Sequence, residues 1–235
     1  MKDDRHQTLR ERTYDEIVRL IMSGELEAGA LIDEKLLIAR LASSRTPFRE
    51  AIGSLAKDGL VEIRPYRGCY VRVLTFREVK DLYDLRQELE AFAVRLAVPR
   101  LSAEDIAWFE RTLDLSVAAL AENDMAAYAT HDRAFHERIA ELSGNHALVE
   151  SLARLKLQVQ LCRVLANHDA TFAERAAWER DQILVAFRAG DAAGAAALMR
   201  EHIADVRGAV LAALGETKAA EAGPSIRSAS LNTPG

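Results

Sequence analysis

"SSRTPFREAIGSLAKDGLVEIRPYRGCYVRV", residues Ser43 to Val73, changes from a helical to an alternating apolar pattern within a short distance. On a helical wheel of about 100° per residue, Phe48 and Ile52 of its first half fall on one side. Arg45 and Arg49, four residues apart, project together on another side. One face of this helix can therefore pack against a core, while the other, basic face is free to reach a partner.

The start of this helix combines serine with proline. Ser43 or Ser44 can cap the first turn. Pro47 costs no hydrogen bond there, because the first backbone N–H groups of a helix have no partner within it. We expect the helix to run to about Asp58, before Gly59. A helix N-terminus also attracts phosphate, and an arginine beside it can bind guanine in the major groove.

The second half of the stretch predicts a β-hairpin. Val61 and Ile63 alternate with charged residues, and Cys69 and Val71 resume the alternation after the turn sequence "PYRG". Alternation of this kind on both sides of a glycine-containing turn is typical of two paired strands. The hairpin would form a small wing after the helix.

Two further helices are predicted upstream. "TYDEIVRLIMSGEL" has apolar residues at helical spacing and a stop at Gly24, and "EKLLIARLA" follows Asp33, which can cap it. The residues expected to face the core are Tyr14, Ile17, Val18, Ile21, Leu36, Leu37 and Leu41. Three helices and a hairpin with Arg67 at its tip match a winged helix-turn-helix.

Charge is unevenly distributed along the chain of 235 residues. From Lys35 to Arg72 there are eight basic and three acidic residues, a local net charge of +5 in a chain whose net charge is −5. This basic segment is a candidate surface for DNA phosphates, although an ordinary solvated face would have the same count.

The two cysteines, Cys69 and Cys162, have no metal-site or disulfide spacing, and no segment is apolar enough to span a membrane. We therefore expect a cytoplasmic protein with no membrane partner.

Beyond Phe76 the sequence predicts only helices. One apolar stripe comprises Leu82, Leu85, Leu89, Phe92, Ala93 and Leu96, and another, after Ser102, comprises Phe109, Leu113, Val117 and Leu120. Further helices are expected at residues 124–142, 146–168, 172–189 and 191–214, separated by breaks that include Asn167-His168. Five or six amphipathic helices with short connections favour an antiparallel bundle. The expected organisation is a DNA-binding domain at residues 1–75, an all-α domain at 76–215 and a disordered tail at 216–235.

Within the second domain, "HDRAFHERIAELSGN" places Asp132 and His136 four residues apart on one helix face. This spacing can direct a carboxylate and an imidazole at one cation, and His202 on the last predicted helix could join them. A surface ion pair is the alternative explanation of the same spacing.

A stretch of some fifty residues, 24–71, resembles the winged helix of the GntR family of bacterial transcription regulators. "GELEAGALIDEKLLIARLASSRTPFREAIGSLAKDGLVEIRPYRGCYV" carries the pattern, except that Ala28 replaces the usual proline, Ala42 the usual turn glycine and Lys35 the commoner arginine. The resemblance implies contacts with operator DNA from the second and third helices and from the wing. By position, these contacts fall to Lys35, Ser44, Arg45, Thr46, Arg49, Arg67 and Gly68.

The helical part is similar to the FCD effector domain of the FadR branch, in its VanR-like form. The similarity lies in "DLYDLRQELEAFAVRLA", "HDRAFHERIAELSGN" and "AFRAGDAAGAAALMREHI". It implies a divalent metal such as zinc, nickel or manganese on Asp132, His136 and His202, with a carboxylate effector above it. Arg180 stands where a further histidine ligand is usual.

Arg180 leaves two alternatives. Either it turns away from a three-ligand metal site, or the metal is lost or weakened and Arg180 binds the acid directly, because an arginine cannot donate a lone pair to a metal. Arg86 matches the family arginine that often reaches the effector, and Arg163 is a further candidate. For Arg86, the alternative role is a structural salt bridge with Glu90.

The expected function is a homodimeric transcription regulator, a repressor released from a palindromic operator by a small carboxylic acid. We do not expect an enzyme. A metal-dependent enzyme that uses Asp132, His136 and His202 is the alternative from another class, and a DNA-binding architectural protein that ignores ligands is a third.

Overall fold

The N-terminal part of the chain forms three helices and a two-stranded hairpin, as the sequence predicts. The computed structural model describes residues 7–166 and 170–221. The elements are α1 (Leu9–Met22), α2 (Glu34–Arg40), α3 (Arg45–Lys57), β1 (Val61–Arg64) and β2 (Gly68–Val71). The two strands are antiparallel, with Val61 opposite Val71 and Arg64 opposite Gly68.

The core of this part lies between α1 and α3. Its buried apolar residues include Ile17, Leu20, Ile21, Phe48, Ile52 and Leu55. In α2, Leu37 is buried, but Leu36 is 58% exposed. The expectation that Leu36 faces inward was wrong, because adjacent helical residues point about 100° apart and Leu37 takes the inward position.

Helix α3 starts at Arg45 with Ser44 as its N-cap residue, at the predicted position. Within the described chain, the Ser44 side chain makes no capping hydrogen bond. A capping oxygen bonds the N–H of the second or third helical residue, and Pro47 in the third position has none to give. The hydroxyl of Ser43 instead lies 3.1 Å from that of Thr13, which ties the start of α3 to α1.

Two tight turns shape this N-terminal part. Ala42, between α2 and α3, has φ 47°, a left-handed conformation that costs a residue with a Cβ about 1 kcal/mol or more. In the wing, Gly68 has φ 106°, and a Cβ there would lie only 2.9 Å from Cδ1 of Leu31. Glycine is therefore required at the wing tip, whereas the turn before α3 holds a strained alanine.

The rest of the described chain is helical. It consists of α4 (Phe76–Ala97), a short 3-10 turn (Val98–Arg100), α5 (Ala103–Ala121), α6 (Met125–Leu142), α7 (His146–Ala166), α8 (Ala170–Arg188) and α9 (Ala192–Glu221). Helix α4 packs on α9, α5 packs on α6 and α8, and α7 contacts α4, α6 and α9. Phe109 makes edge-to-face contacts with Phe135 and Phe187 at 5.2 and 5.4 Å. The predicted helical bundle is confirmed.

The inward face of α4 differs from the predicted apolar stripe. Leu82 and Ala93 are buried, but Leu85 is 51% and Phe92 37% exposed. Besides Leu82 and Ala93, the buried face of α4 carries Val79, Tyr83, Arg86, Glu90, Ala91, Val94 and Ala97. Two charged residues therefore lie inside the bundle, which an apolar pattern cannot indicate. Val117 of α5, also expected to face inward, is 52% exposed.

The N-terminal part, from α1 to β2, rests on the bundle through α1 and the end of α3. Helix α1 contacts α7. Gln158 of α7 donates a hydrogen bond of 3.4 Å to the backbone carbonyl of Asp58, the C-cap residue of α3. The hydroxyl of Tyr14 on α1 donates to the Asp58 carboxylate at 2.6 Å. Asp58 thus joins α1, α3 and α7.

The C-terminal helix is longer than predicted. Helix α9 continues to Glu221, so residues 216–221, which we expected in a disordered tail, are helical. The rest of that tail and the predicted break at Asn167-His168 lie outside the described residues. Among the described residues, no helix is both long and apolar enough to cross a membrane.

Candidate functional site

Helix α3 presents two arginines away from the core. Arg45 and Arg49 are exposed, whereas Phe48 and Ile52 between and after them are buried. The Arg49 Nε atom lies 3.5 Å from a carboxylate oxygen of Glu34, yet the Arg49 side chain remains 71% exposed. Both guanidinium groups are therefore available to a ligand of the size of DNA.

The other side chains predicted to contact DNA are also on the surface. Lys35 lies in the first turn of α2, Ser44 caps α3, and Thr46 follows Arg45. Arg67 and Gly68 are exposed at the tip of the hairpin. The structure thus places the predicted contacts at the N-terminal ends of two helices and at the wing tip of one packed unit.

Sequence reasoning missed Tyr66 at the same tip. Its side chain is fully exposed, and its backbone has φ 62°. A single exposed aromatic ring is common on protein surfaces, so it is the position of Tyr66 beside Arg67 and Gly68 that makes it a further candidate contact. The signal was present in the turn sequence "PYRG", in which only the arginine and glycine received a role.

In the bundle, Asp132 and His136 of α6 meet His202 of α9. One ligand atom from each of the three lies within 4.8 Å of the others, and all three residues are buried or nearly so. The two imidazole rings stack at 5.5 Å with an angle of 15°. Spacing along the chain suggested the first pair, and the fold adds the third residue from a distant helix.

Each histidine is oriented by a carboxylate. His136 Nδ1 donates to Glu90 Oε2, and His202 Nδ1 donates to Glu179 Oε2 at 2.8 Å. Among the described residues, neither Nε2 atom has a hydrogen-bond partner. Burial lowers the pKa of His202 to about 4, although the hydrogen bond to Glu179 acts in the opposite direction. The His202 ring is therefore neutral at pH 7, with its Nε2 lone pair directed into the cluster.

Arg180 lies beside Asp132 and is 0% exposed. Its Nη1 is 3.1 Å from Asp132 Oδ1, its Nε donates to the carbonyl of Ala176 at 3.3 Å, and its Nη2 donates to the hydroxyl of Tyr128 at 3.3 Å. The guanidinium also faces the rings of Tyr128 and Phe135. All three nitrogens are engaged by the protein, so Arg180 is a fixed internal cation.

Asp132 is held between two arginines. Arg163 Nη1 donates to its second oxygen, Oδ2, so that each carboxylate oxygen has its own guanidinium. Burial alone would raise the pKa of Asp132, but the charges of Arg163 and Arg180 hold it well below its usual range. Burial would likewise raise the pKa of Glu90, and Arg86 beside it contributes to a value of about 2. Both carboxylates are ionised at neutral pH.

A cavity of about 670 Å³ opens next to this cluster and is lined mostly by apolar atoms. Arg86, Glu90, Asp132, His136 and Arg163 lie on its wall, whereas Arg180 stands behind Asp132. Arg86 Nε donates to Glu90 Oε1 at 2.6 Å, which is the salt bridge considered as an alternative role. Its Nη1 is buried and finds no hydrogen-bond partner among the described residues. Within the described chain, the salt bridge therefore leaves one buried donor of Arg86 unpaired, in a residue that lines the cavity.

The donor set only partly fits a divalent metal. The two Nε2 atoms are free, and the carboxylates behind the histidines are the orienting partners common in metal sites. Both oxygens of Asp132, however, are already bound by guanidinium groups, and the Arg180 charge would repel a cation. Two free nitrogen donors beside a fixed cation fall short of the three protein ligands usual even in open metal sites.

A winged helix-turn-helix joined to a helical bundle is the architecture of a DNA-binding transcription regulator. Comparison with known families agrees. Residues 9–71 match the family described as bacterial regulatory proteins, gntR family, and residues 81–205 match the FCD domain. The chain belongs to the GntR family of transcription regulators and carries an FCD domain. The finer assignment to the VanR-like form stays a prediction.

Individual relatives agree with this assignment. The chain is 30% identical to a probable D-xylose utilization operon transcriptional repressor of Paenarthrobacter nicotinovorans over 84% of this chain and 86% of the relative. It is 24% identical to the HTH-type transcriptional repressor RspR of Escherichia coli over 85% of this chain and 88% of that protein.

Solved structures show the same fold. A GntR transcriptional regulator from Rhodococcus sp. RHA1 matches with a TM-score of 0.76 and 26% identity, covering 86% of this chain and 97% of that one. E. coli McbR/YncC matches with a TM-score of 0.75 at 23% identity, covering 91% of this chain and 100% of that one. The family and the two named repressors are transcription regulators, which confirms the prediction of a regulator rather than an enzyme.

Proposed function

We propose that this regulator represses transcription from a palindromic operator as a homodimer in the cytoplasm, and leaves the DNA when a small carboxylic acid binds the bundle. Arg45, Thr46 and Arg49 would contact bases in the major groove. Lys35 and Ser44 would contact phosphate, and Arg67 and Gly68, with Tyr66 beside them, would enter the minor groove. The exposure of these side chains at two helix N-termini and the wing tip supports this assignment.

The observation that carries the acid effector is the free Nη1 donor of Arg86. A buried guanidinium nitrogen without a partner is costly, and a carboxylate oxygen satisfies it with a charge-assisted hydrogen bond. Arg163 lies on the same cavity wall. We therefore assign Arg86 and Arg163 to the acid directly, with His136 beside them.

Arg180 has a different part in this proposal. Because its three nitrogens already bond Asp132, Ala176 and Tyr128, it acts on the ligand through Asp132, which it fixes in place. Of the two alternatives for the metal, we favour a lost or weakened site, with Arg180 supplying the positive charge next to Asp132. In this arrangement zinc, nickel or manganese is not needed for acid binding, and His202 serves to pack and orient the cluster.

The homodimer is supported by an exposed apolar stripe on α4. Leu85 and Phe92, two turns apart, are exposed on one side of the helix, with the partly buried Leu89 between them. Helix α4 begins directly after the wing, so a contact between two copies of this stripe would set two winged helices side by side. A two-fold operator requires that symmetry. We propose the second copy of this chain as the occupant of the stripe.

One experiment tests the effector. The purified chain is screened by thermal shift against monocarboxylic, dicarboxylic, hydroxy, sugar and aromatic acids, with and without a chelator, and hits are added to an operator-binding titration with DNA upstream of its gene. We expect a hit to raise the melting temperature, to lower operator affinity, and to lose both effects in Arg86→Gln. If no acid alters either property, the architectural DNA-binding alternative gains support.

A further inference from the structure

The cavity of the bundle extends beyond the bundle itself. Four residues of its lining, Asp15, Val18, Arg19 and Met22, belong to α1 of the DNA-binding part. Apolar side chains of α7, among them Val149, Leu152 and Val159, line the same cavity. One continuous cavity is therefore lined both by buried charged residues of the bundle and by the first helix of the DNA-binding part.

Helix α1 has two different contact faces. Ile17 and Ile21 are buried in the core shared with α3. Val18 and Met22, each one residue further along and hence about 100° around the helix, are partly buried and line the cavity. A ligand that touches Val18 and Met22 would therefore press on the helix that holds the recognition helix in place.

We infer that α1 is part of the ligand site, and that the releasing ligand is an acid with an apolar tail that ends on Val18 and Met22. This inference rests on the proposed binding of a carboxylate at Arg86 and adds the class of acid and two specificity residues. The apolar lining of the cavity favours an aliphatic or aromatic tail over the hydroxyl groups of a sugar acid. The acid bridges the two parts of the molecule, so its length decides whether α1 is displaced.

The test uses the full chain and unbranched saturated acids from butanoate to decanoate. Affinity is measured by calorimetry, and operator release by fluorescence anisotropy. In the unmodified chain we expect affinity to rise about three- to fourfold for each added methylene that becomes buried. Butanoate should bind at Arg86 without releasing DNA, whereas the longer acids should release it.

Variants of α1 separate its role from that of the charged end. Val18→Ala and Met22→Ala should weaken decanoate binding by about tenfold and leave butanoate binding unchanged. Met22→Phe, which fills the cavity instead of emptying it, should exclude long acids while short ones still bind. Leu9→Ala is the matched control, because Leu9 is an exposed apolar residue of the same helix that does not line this cavity within the described residues.

The outcomes distinguish this inference from the proposed function. If acids bind through Arg86 but the α1 variants follow the chain-length dependence of Leu9→Ala, the role of α1 is overturned and the proposed function stands. If the unmodified chain binds none of these acids while the thermal-shift screen finds another acid that depends on Arg86, the apolar tail and the role of α1 are wrong and the proposed function stands. If that screen finds no acid either, the acid effector is wrong as well.

Discussion

Arg45 and Arg49 are the side chains on which sequence-specific DNA binding depends most in this proposal. Arg45→Ala and Arg49→Ala should each lower operator affinity by about 1 to 3 kcal/mol, because each removes a base-reading guanidinium. Competition titrations with operator and unrelated DNA measure the loss. Lys35→Ala, a phosphate contact in the same unit, should weaken both DNAs alike. Equal losses on both DNAs for the arginine variants would contradict base recognition.

Ala42 is strained by its left-handed backbone between α2 and α3. Ala42→Gly should raise the free energy of unfolding by about 1 kcal/mol, because glycine adopts positive φ without the Cβ clash. Ala39→Gly, inside α2, should instead lower it by about 1 kcal/mol. Urea denaturation measures both. A loss of stability in Ala42→Gly would show that the turn does not hold this conformation in solution.

Arg180 decides the metal question. In Arg180→His the fixed cation is gone and a third imidazole is added beside Asp132, His136 and His202, so we expect near-stoichiometric zinc or nickel after purification without chelator. The unmodified chain should retain much less. Elemental analysis measures both, with His136→Ala added to Arg180→His as the control that loses the metal. Stoichiometric metal in the unmodified chain, abolished by His136→Ala, would defeat the metal-free proposal.

At the scale of elements, the α4 stripe has the clearest consequence. Leu85→Glu should convert the proposed dimer to a monomer and lower operator affinity by about 100-fold or more, because two linked recognition helices bind far better than one. Sedimentation at micromolar concentration measures the assembly. Val117→Glu, at a similarly exposed position of α5, should leave the dimer intact. A Leu85→Glu chain that still sediments as a dimer would exclude α4 as the interface.

The elements themselves could be predicted from the sequence, because apolar spacing, caps and the "PYRG" turn are local signals. The faces of α4 could not. Leu85 and Phe92 follow the same spacing as core residues, whereas Arg86 and Glu90 are buried and pair with each other, which offsets part of the cost of burying two charges. A single sequence does not distinguish a stripe that meets the core from one that would meet a second copy.

Part of the bundle cluster could also be predicted. The spacing of Asp132 and His136 is local and predicts that they lie on one helix face. His202 joins them only through the packing of α6 and α9. The family pattern suggested His202 as a third member, whereas its spacing along the chain could not. Glu90 and Glu179, which orient the histidines, were missed. Their signals were weak: Glu90 follows Arg86 by four residues, and Glu179 directly precedes Arg180.

For the whole molecule, acid pH should be destabilising. The folded pKa of His202 is lowered from 6.5 to about 4, so the unfolded chain binds this proton more readily, and stability falls as pH drops from about 6.5 toward 4. The loss from this group is on the order of 3 kcal/mol. Denaturation at pH 7, 5.5 and 4.5 measures it. His202→Gln, which cannot titrate, should show a shallower decline; an equal decline would contradict this origin.

The contact between Gln158 and the Asp58 carbonyl links the stability of the recognition helix, α3, to its packing against α7. The last carbonyl groups of a helix lack partners within it, and here a side chain of α7 supplies one at the C-cap of α3. A motion that separates α7 from α3 would leave that carbonyl to water and let the last turn of α3 fray. The recognition helix would then be loosened at its far end, away from the DNA, before any base contact is broken.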